Sequence, residues 1–180
     1  LVIDPAHSDL GFKIRHLMVS NVKGTLTNYS GGMHYTMEDM SDAQIRFEAE
    51  VNSISTGNAD RDAHLNGEDF FNTERFPRMY FESTYLNLTD GKMRGEMTIK
   101  DTTKTIDLVV EYNGKSTDPW GNTKHGFEIT GVINRSDFDL TWNATLETGG
   151  VLLSDEVKLN LDVQMMELVG EMEPQTETAA

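Results

Sequence analysis

The chain has 180 residues, no cysteine, 37% hydrophobic residues and a formal charge of −15, from 15 Lys and Arg against 30 Asp and Glu. That length suits one domain with a real core, and the missing cysteine excludes disulfides, thiolate metal sites and cysteine nucleophiles. The acidic balance argues against nucleic acid and against docking on anionic lipid headgroups, and no apolar run approaches the roughly 20 residues of a membrane span.

Along the chain, the dominant signal is period two, the mark of a strand with one wet and one apolar face. Leu10, Phe12, Ile14 and His16 share the first such phase, and Gly24 falls within the next predicted strand. Gly31-Gly32 reads as a turn before Ile45, Phe47, Ala49 and Val51. From Ser53 to Pro77 the pattern breaks. Asn58 or Asp60 can cap a short helix there, Gly67 can stop it, and Phe70-Phe71 follow as a bulky apolar pair. An interruption this long inside a small domain suggests a lid or plug across one end. Strand alternation resumes through Phe81, and Asp90-Gly91 before Met93, Gly95, Met97 and Ile99 is a strong hairpin cue. Asn113-Gly114 and Gly149-Gly150 read as further turns. Phe127, Ile129, Gly131 and Ile133 form one later phase, and Val157, Leu159, Leu161, Val163 and Met165 the last. About eight strands of this kind predict an all-β fold, an antiparallel barrel, with bulges or bends at Gly24 and Gly95. The barrel domain is expected to span residues 1–166, and the acidic stretch 167–180 to be a disordered tail.

Chemical signatures are scarce. The five histidines, His7, His16, His34, His64 and His125, form no metal-ligand spacing. His16 and His64 are expected near a cavity mouth and the other three on the surface. His7-Ser8 are adjacent, a poor geometry for nucleophile and base. No GxSxG elbow, P-loop or singled-out carboxylate pair appears. No catalytic residue, metal or cofactor is therefore assigned. What remains is inward-facing apolar and methionine-rich surface, which suits a pocket for a flexible apolar ligand or simply fills the barrel; patterning leaves both open.

Four blocks in order resemble one family. The opening "VIDPAHSDLGFKIRHLMVSNVKGTL" carries an IDxxHS element, then Phe12, His16-Leu17 and Gly24, with Leu26 where a phenylalanine is usual. "SISTGNADRDAHLNGEDFFNTERFPRMYFES" carries Arg61-Asp62, His64-Leu65, Asp69-Phe70-Phe71, Pro77 and Phe81. "GEMTIKDTTKTIDL" follows, and then "INRSDFDLTWN" with "LSDEVKLNLDVQ". Together they resemble the YceI-like family of polyisoprenoid-binding, lipocalin-like bacterial barrels, over residues 2 to 165. Asp101 and Asp139 stand where that family carries glycine, which puts two local turns in question.

The resemblance implies an eight-stranded antiparallel barrel whose cavity takes a long isoprenoid, isoprenoid quinone or fatty-acyl chain, with the helical crossover over one end. It also implies homodimers and a cytoplasmic or periplasmic location, and the start at Leu1 rather than methionine leaves that choice open. Expected cavity-wall residues are Phe12, Ile14, Phe47, Phe81, Met97, Phe127 and Trp142, with Phe70 and Phe71 in the crossover. His16, Arg61, Asp62 and His64 are expected at the polar mouth, Arg61-Asp62 having a structural alternative as an ion pair or capping pair. Non-catalytic lipid binding is the leading expectation. The alternatives are an enzyme using His16 or His64 as acid or base, and a filled barrel acting through its surface.

Overall fold

The structure, a computed structural model, describes residues 1–168. The expected tail therefore lies outside the described residues from position 169 onward. Eleven strands are present among the described residues: β1 (Val2–Ile3), β2 (Asp9–His16), β3 (Ser20–Leu26), β4 (Tyr29–His34), β5 (Gln44–Glu50), β6 (Ile54–Ser55), β7 (Arg78–Asn87), β8 (Lys92–Ile99), β9 (Thr102–Thr117), β10 (Thr123–Asn134) and β11 (Leu153–Met166). Among the described residues the single α-helix, α1, spans Ala59–Asn66.

All ladders are antiparallel. β1 and β2 are two halves of one strand, broken by a 3₁₀ turn at Pro5–His7, and β3 and β4 are another pair, broken at Thr27-Asn28. Counted so, eight strands close into a barrel, because β11 pairs with both β1 and β2. Closure is tight only at the β1–β4 end. At the opposite end β3 leaves β5 and meets the two-residue β6, through Thr25↔Ser55 and Leu26↔Ile54.

The interior follows this asymmetry. At the closed pole inward side chains are truly buried: Leu10, Met33, Phe81, Met93, Phe127 and Met165 belong to one apolar cluster. Toward the other pole the same inward phases continue as Phe12, Ile14, Ile133, Val157 and Leu159, but these stay half-exposed. Inward residues that keep accessible surface are facing a void.

The IDxxHS element secures the closed pole. Asp4 accepts hydrogen bonds from Lys124 Nζ (2.8 Å), Gln164 Nε2 (3.3 Å) and the Ala6 amide (3.2 Å), and pairs with His7 Nδ1 (3.0 Å). The Lys124 ammonium, then His7, hold the Asp4 carboxyl at about 2, against an ordinary 3.8. Ser8 Oγ donates to the Asp4 carbonyl and accepts from the Gln164 amide, so it serves the chain crossing rather than any nucleophilic role.

Several turn expectations are corrected. Gly31-Gly32 lies inside β4, where Ile3 packs against the bare face of Gly31. Asn113-Gly114 lies inside β9 as a bulge: Gly126 faces Gly114 but Phe127 faces Tyr112, which leaves Asn113 extra. Gly114 sits at φ +91°, the left-handed region that a bulge and a turn both need. Gly24 makes no bulge, since β2 and β3 pair without a slip; it leaves room for the Phe12 ring. Gly95 faces a register shift in β7 between Ser83 and Tyr85, and the Phe81 ring lies over it. Asp90-Gly91 and Gly149-Gly150 do sit between strand segments, as expected. Of the two turns in question, Asp139 adopts φ +59°, while Lys100 rather than Asp101 takes the left-handed conformation of its turn. Lys100 Nζ donates to the Asp139 carbonyl at 3.1 Å, linking the two turns.

Candidate functional site: a half-barrel cavity

The void is a cavity of about 730 Å³ in the half of the barrel away from the closed pole. That is within the 300–1,000 Å³ typical of small-molecule sites. Its walls come from inward positions of β2 (Phe12, Ile14), β3 (Val22, Leu26), β8 (Met97, Ile99), β9 (Ile106), β10 (Ile133) and β11 (Val157, Leu159). Met97, Ile106 and Leu159 also pack on the filled cluster, so they form the boundary between core and void.

The mouth is built by two irregular segments. The first is the crossover. Asn58 caps α1 by accepting from the Arg61 amide at 3.0 Å, and Gly67 ends it. Thr56 then ties the helix to the barrel. Its Oγ1 and amide both donate to Asp62 Oδ1 (2.6 and 3.0 Å), while Arg61 donates through Nε to Thr56 Oγ1 and through Nη2 to the Thr56 carbonyl, each at 2.7 Å. Arg61 and Asp62 thus form no ion pair with each other; both hold Thr56. Asp62 faces this knot and does not line the cavity, whereas Arg61 does.

The second segment runs from a 3₁₀ turn at Arg135–Phe138 to β11. Arg135 is 6% exposed, yet donates to three carbonyls: Ser154 (2.9 Å), Leu140 (2.7 Å) and Trp142 (2.8 Å). Burial pushes its basicity down, opposed by Asp155. Neither Arg61 nor Arg135 has a carboxylate within 4.0 Å among the described residues. The two segments meet in an aromatic cluster. His64 lies edge-on to Phe70 and Trp142, with ring centroids 5.0 Å from each, and Phe70 and Trp142 are 5.2 Å apart. His64 Nε2 also pairs with Asp69 at 2.9 Å.

Of the thirteen residues singled out from sequence, Phe12, Ile14, His16, Arg61, His64, Phe70, Phe71, Met97 and Trp142 line this cavity. Phe81 and Phe127 are instead core residues at the closed pole, and Phe47 packs against both apolar clusters. The reason is position along the strand: period two gives the face of a residue and not its depth. Asp62 is the fourth residue placed elsewhere, for the reason given above. Sequence reasoning missed Arg135, although it is the next inward step after Phe127, Ile129, Gly131 and Ile133. It also misplaced His125, the inward step before Phe127. That histidine is 2% exposed, and bonds Tyr112 Oη through Nδ1 and Glu167 through Nε2, each at 2.8 Å. The bond from His125 holds the Glu167 carboxyl below its ordinary range. Among the described residues no group of three or more His, Asp or Glu could hold a metal ion, and no helix is long and apolar enough to cross a membrane.

Known proteins share this fold. A UPF0312 protein of Staphylococcus aureus is 38% identical over 162 residues, covering 89% of this chain and 94% of its own. The crystal structure of the Campylobacter jejuni YceI protein is 34% identical, with a TM-score of 0.71 over 92% of this chain and 96% of that one. Burkholderia cenocepacia BcnA superposes with a TM-score of 0.77 over 91% and 99% of the two chains at 18% identity, a likeness of fold alone. The same holds for a polyisoprenoid binding domain from Saccharophagus degradans, at 0.64 over 92% and 97% and 14% identity. The model of the YceI-like domain matches residues 1–165, and the chain belongs to that family.

Proposed function

We propose that the chain binds one long apolar lipid, a polyisoprenoid, isoprenoid quinone or fatty-acyl chain, in the half-barrel cavity and does not transform it. One observation carries this reading: an apolar cavity of about 730 Å³ that ends in a polar mouth at Arg61 and Arg135. The family membership supports it, as does the likeness of fold to the polyisoprenoid binding domain from Saccharophagus degradans. At roughly 30 Å³ per water-sized group, packed at protein density, the cavity holds about twenty carbons. Burying that chain releases on the order of 16 kcal/mol gross, enough for tight binding after ordering costs. The guanidinium groups suit an oxygen-bearing end of the ligand, since each is a fixed donor with no carboxylate within 4.0 Å among the described residues.

The His64–Asp69 pair favours a second reading, because a carboxylate-oriented imidazole at a cavity mouth is an acid/base arrangement. Native mass spectrometry of the protein, before and after incubation with an isoprenoid quinone or a long-chain fatty acid, tests the first reading. A stoichiometric adduct that the double variant His16→Gln/His64→Gln retains, and that leaves unchanged on denaturing extraction, is the expected result. No adduct from either lipid overturns lipid binding, and recovery of a chemically altered lipid only from the unsubstituted protein overturns binding without turnover.

A further inference from the structure

The β2–β3 hairpin tip is apolar and exposed: Leu17 is 40%, Met18 57% and Val19 81% accessible. It joins His16 to Ser20, both on the cavity rim. The turn closes by a hydrogen bond from the Val19 amide to the His16 carbonyl at 3.2 Å, with Leu17 at φ +54° and Met18 at φ +60°. Two consecutive left-handed residues are the conformation for which Asn-Gly is favoured, and bulky side chains are outliers there. Neither burial nor backbone preference accounts for Leu-Met at this tip.

Behind the tip runs a row of cations. Lys13 on β2 lies directly opposite Lys158 on β11 and Lys23 on β3, on the outward phase. Arg15, one step nearer the tip, faces Asn21 and donates to the Met18 carbonyl. Like charges directly opposite in a sheet are destabilising, and none of these four cations has a carboxylate within 4.0 Å among the described residues. The three lysines line a shallow groove across the outer wall. Acids on the same face are Glu156 near the rim, the opposed pair Asp9 and Asp162 at the far end, and Asp107, which lines the groove but is paired with Arg94 at 2.7 Å. In a chain of net charge −15 this is a local reversal of sign.

We propose that the β2–β3 tip and the Lys13–Lys23–Lys158 row form a docking surface that places the cavity mouth against an anionic lipid bilayer. The strand rise puts the row about 13 Å behind Leu17, so the barrel leans on this face for both features to meet one plane. Over that distance the local lysines outweigh the screened charge of the rest of the molecule. Composition, which argues against anionic headgroups, averages over the chain and does not register such a local reversal of sign. The crossover that follows β6 carries the exposed acids Asp60, Glu68, Asp69 and Glu74 and lies beside β3, so these acids flank the lysine row at its β3 edge. An apolar ligand then passes between bilayer and cavity at the rim without crossing open water; this consequence rests on the lipid-binding reading above, whereas the docking itself does not.

Co-sedimentation with vesicles tests it, using phosphatidylcholine alone or with about 30% phosphatidylglycerol to supply the negative surface. The unsubstituted protein is expected to bind the mixed vesicles at low ionic strength at least tenfold more tightly than the neutral ones. K13Q/K23Q/K158Q is expected to weaken that binding on the order of 100-fold, about fivefold per lysine. Leu17→Asn/Met18→Gly gives the turn its favoured residues, so it is expected to raise the urea midpoint while weakening vesicle binding at least tenfold. Failure of the unsubstituted protein to bind mixed vesicles, equal binding to neutral ones, or full binding by both variants overturns the docking surface. Uptake of an apolar fluorescent probe, measured without vesicles, reports the cavity separately: its loss alongside retained vesicle binding overturns lipid binding and leaves docking standing.

Discussion

Two glycines sit in the same local geometry but border different interiors, and substituting each with alanine separates cavity from core. At Gly24 a new Cβ meets the Phe12 ring, with Cε1 at 2.8 Å and Cζ closer, and Thr56 Cγ2 at 3.0 Å. At Gly95 it meets the Phe81 ring, with Cε2 at 2.6 Å, and the Glu82 carbonyl oxygen at 2.5 Å. Phe12 lines the void, so its ring can swing into empty space. Phe81 is 8% exposed inside the filled cluster, and the Glu82 carbonyl is fixed backbone. Overpacking a filled core costs about 1–3 kcal/mol, and Gly95→Ala is expected at the upper end of that range. Gly24→Ala is expected to cost under ~1 kcal/mol, partly offset by alanine's advantage within a strand. It takes room from the cavity instead: losing contact with about two methylenes of ligand weakens binding roughly tenfold. Urea unfolding at constant m-value, paired with titration of an apolar fluorescent probe, reads both effects. Equal losses of stability, or a Gly24→Ala protein with undiminished probe affinity, would refute the division of the interior into a filled and an empty half.

Asp4 makes stability depend on acid. A carboxyl held at about 2 instead of 3.8 stabilises the fold fully above its unfolded value, and that contribution is lost as pH falls from about 4 toward 2. Asp4→Asn is expected to cost about 1–2 kcal/mol at neutral pH, screening by solvent included, and to flatten thermal stability against pH across that acid window. Arg135→Met removes the donor to three carbonyls, with an expected cost of about 3 kcal/mol. It should also shift Trp142 emission to the red as the mouth cluster loosens; unchanged stability and emission would show that those carbonyls find other partners.

Sheet faces were legible because side-chain direction has a strict period, and β10 shows how far that reaches. The phase Phe127, Ile129, Gly131, Ile133, carried one step in each direction, finds His125 at the closed pole and Arg135 at the mouth. Both were overlooked because a polar residue at the end of an apolar run resembles the end of the strand. Depth was not legible. Phe12 and Phe81 each cover a cross-strand glycine, yet one borders the void and the other the core, a distinction set by how eight strands stagger around the barrel. Turn cues failed where two structures use the same backbone: Asn113-Gly114 satisfies the left-handed requirement of a bulge as well as that of a hairpin. Of the two N-cap candidates Asn58 starts α1 while Asp60 falls in its first turn, and Gly67 ends it as expected, since an N-cap and a stop are local requirements.

The two poles are held together by different forces, and this bears on how a ligand enters. The closed pole combines a buried apolar cluster with short ladders from β1 to β4 (Val2↔Gly32) and to β11 (Val2↔Met166, Ile3↔Met165), so opening it means exposing that core. The mouth has a smaller core, in which Phe138 and Leu140 pack with Ala49, Val51, Met79 and Ile99, but α1 itself buries no residue. The mouth is fastened by the Thr56 knot, the three carbonyls on Arg135 and the contact of His64, Phe70 and Trp142. Polar ties of this kind are net-weak, on the order of 1 kcal/mol each, because water replaces them when they break. Local opening of the crossover therefore costs a few kcal/mol while global unfolding costs the whole stability of the domain. A cavity closed only by tight packing would admit an apolar chain only by unfolding; closure by solvent-replaceable bonds at one end admits it with the barrel intact.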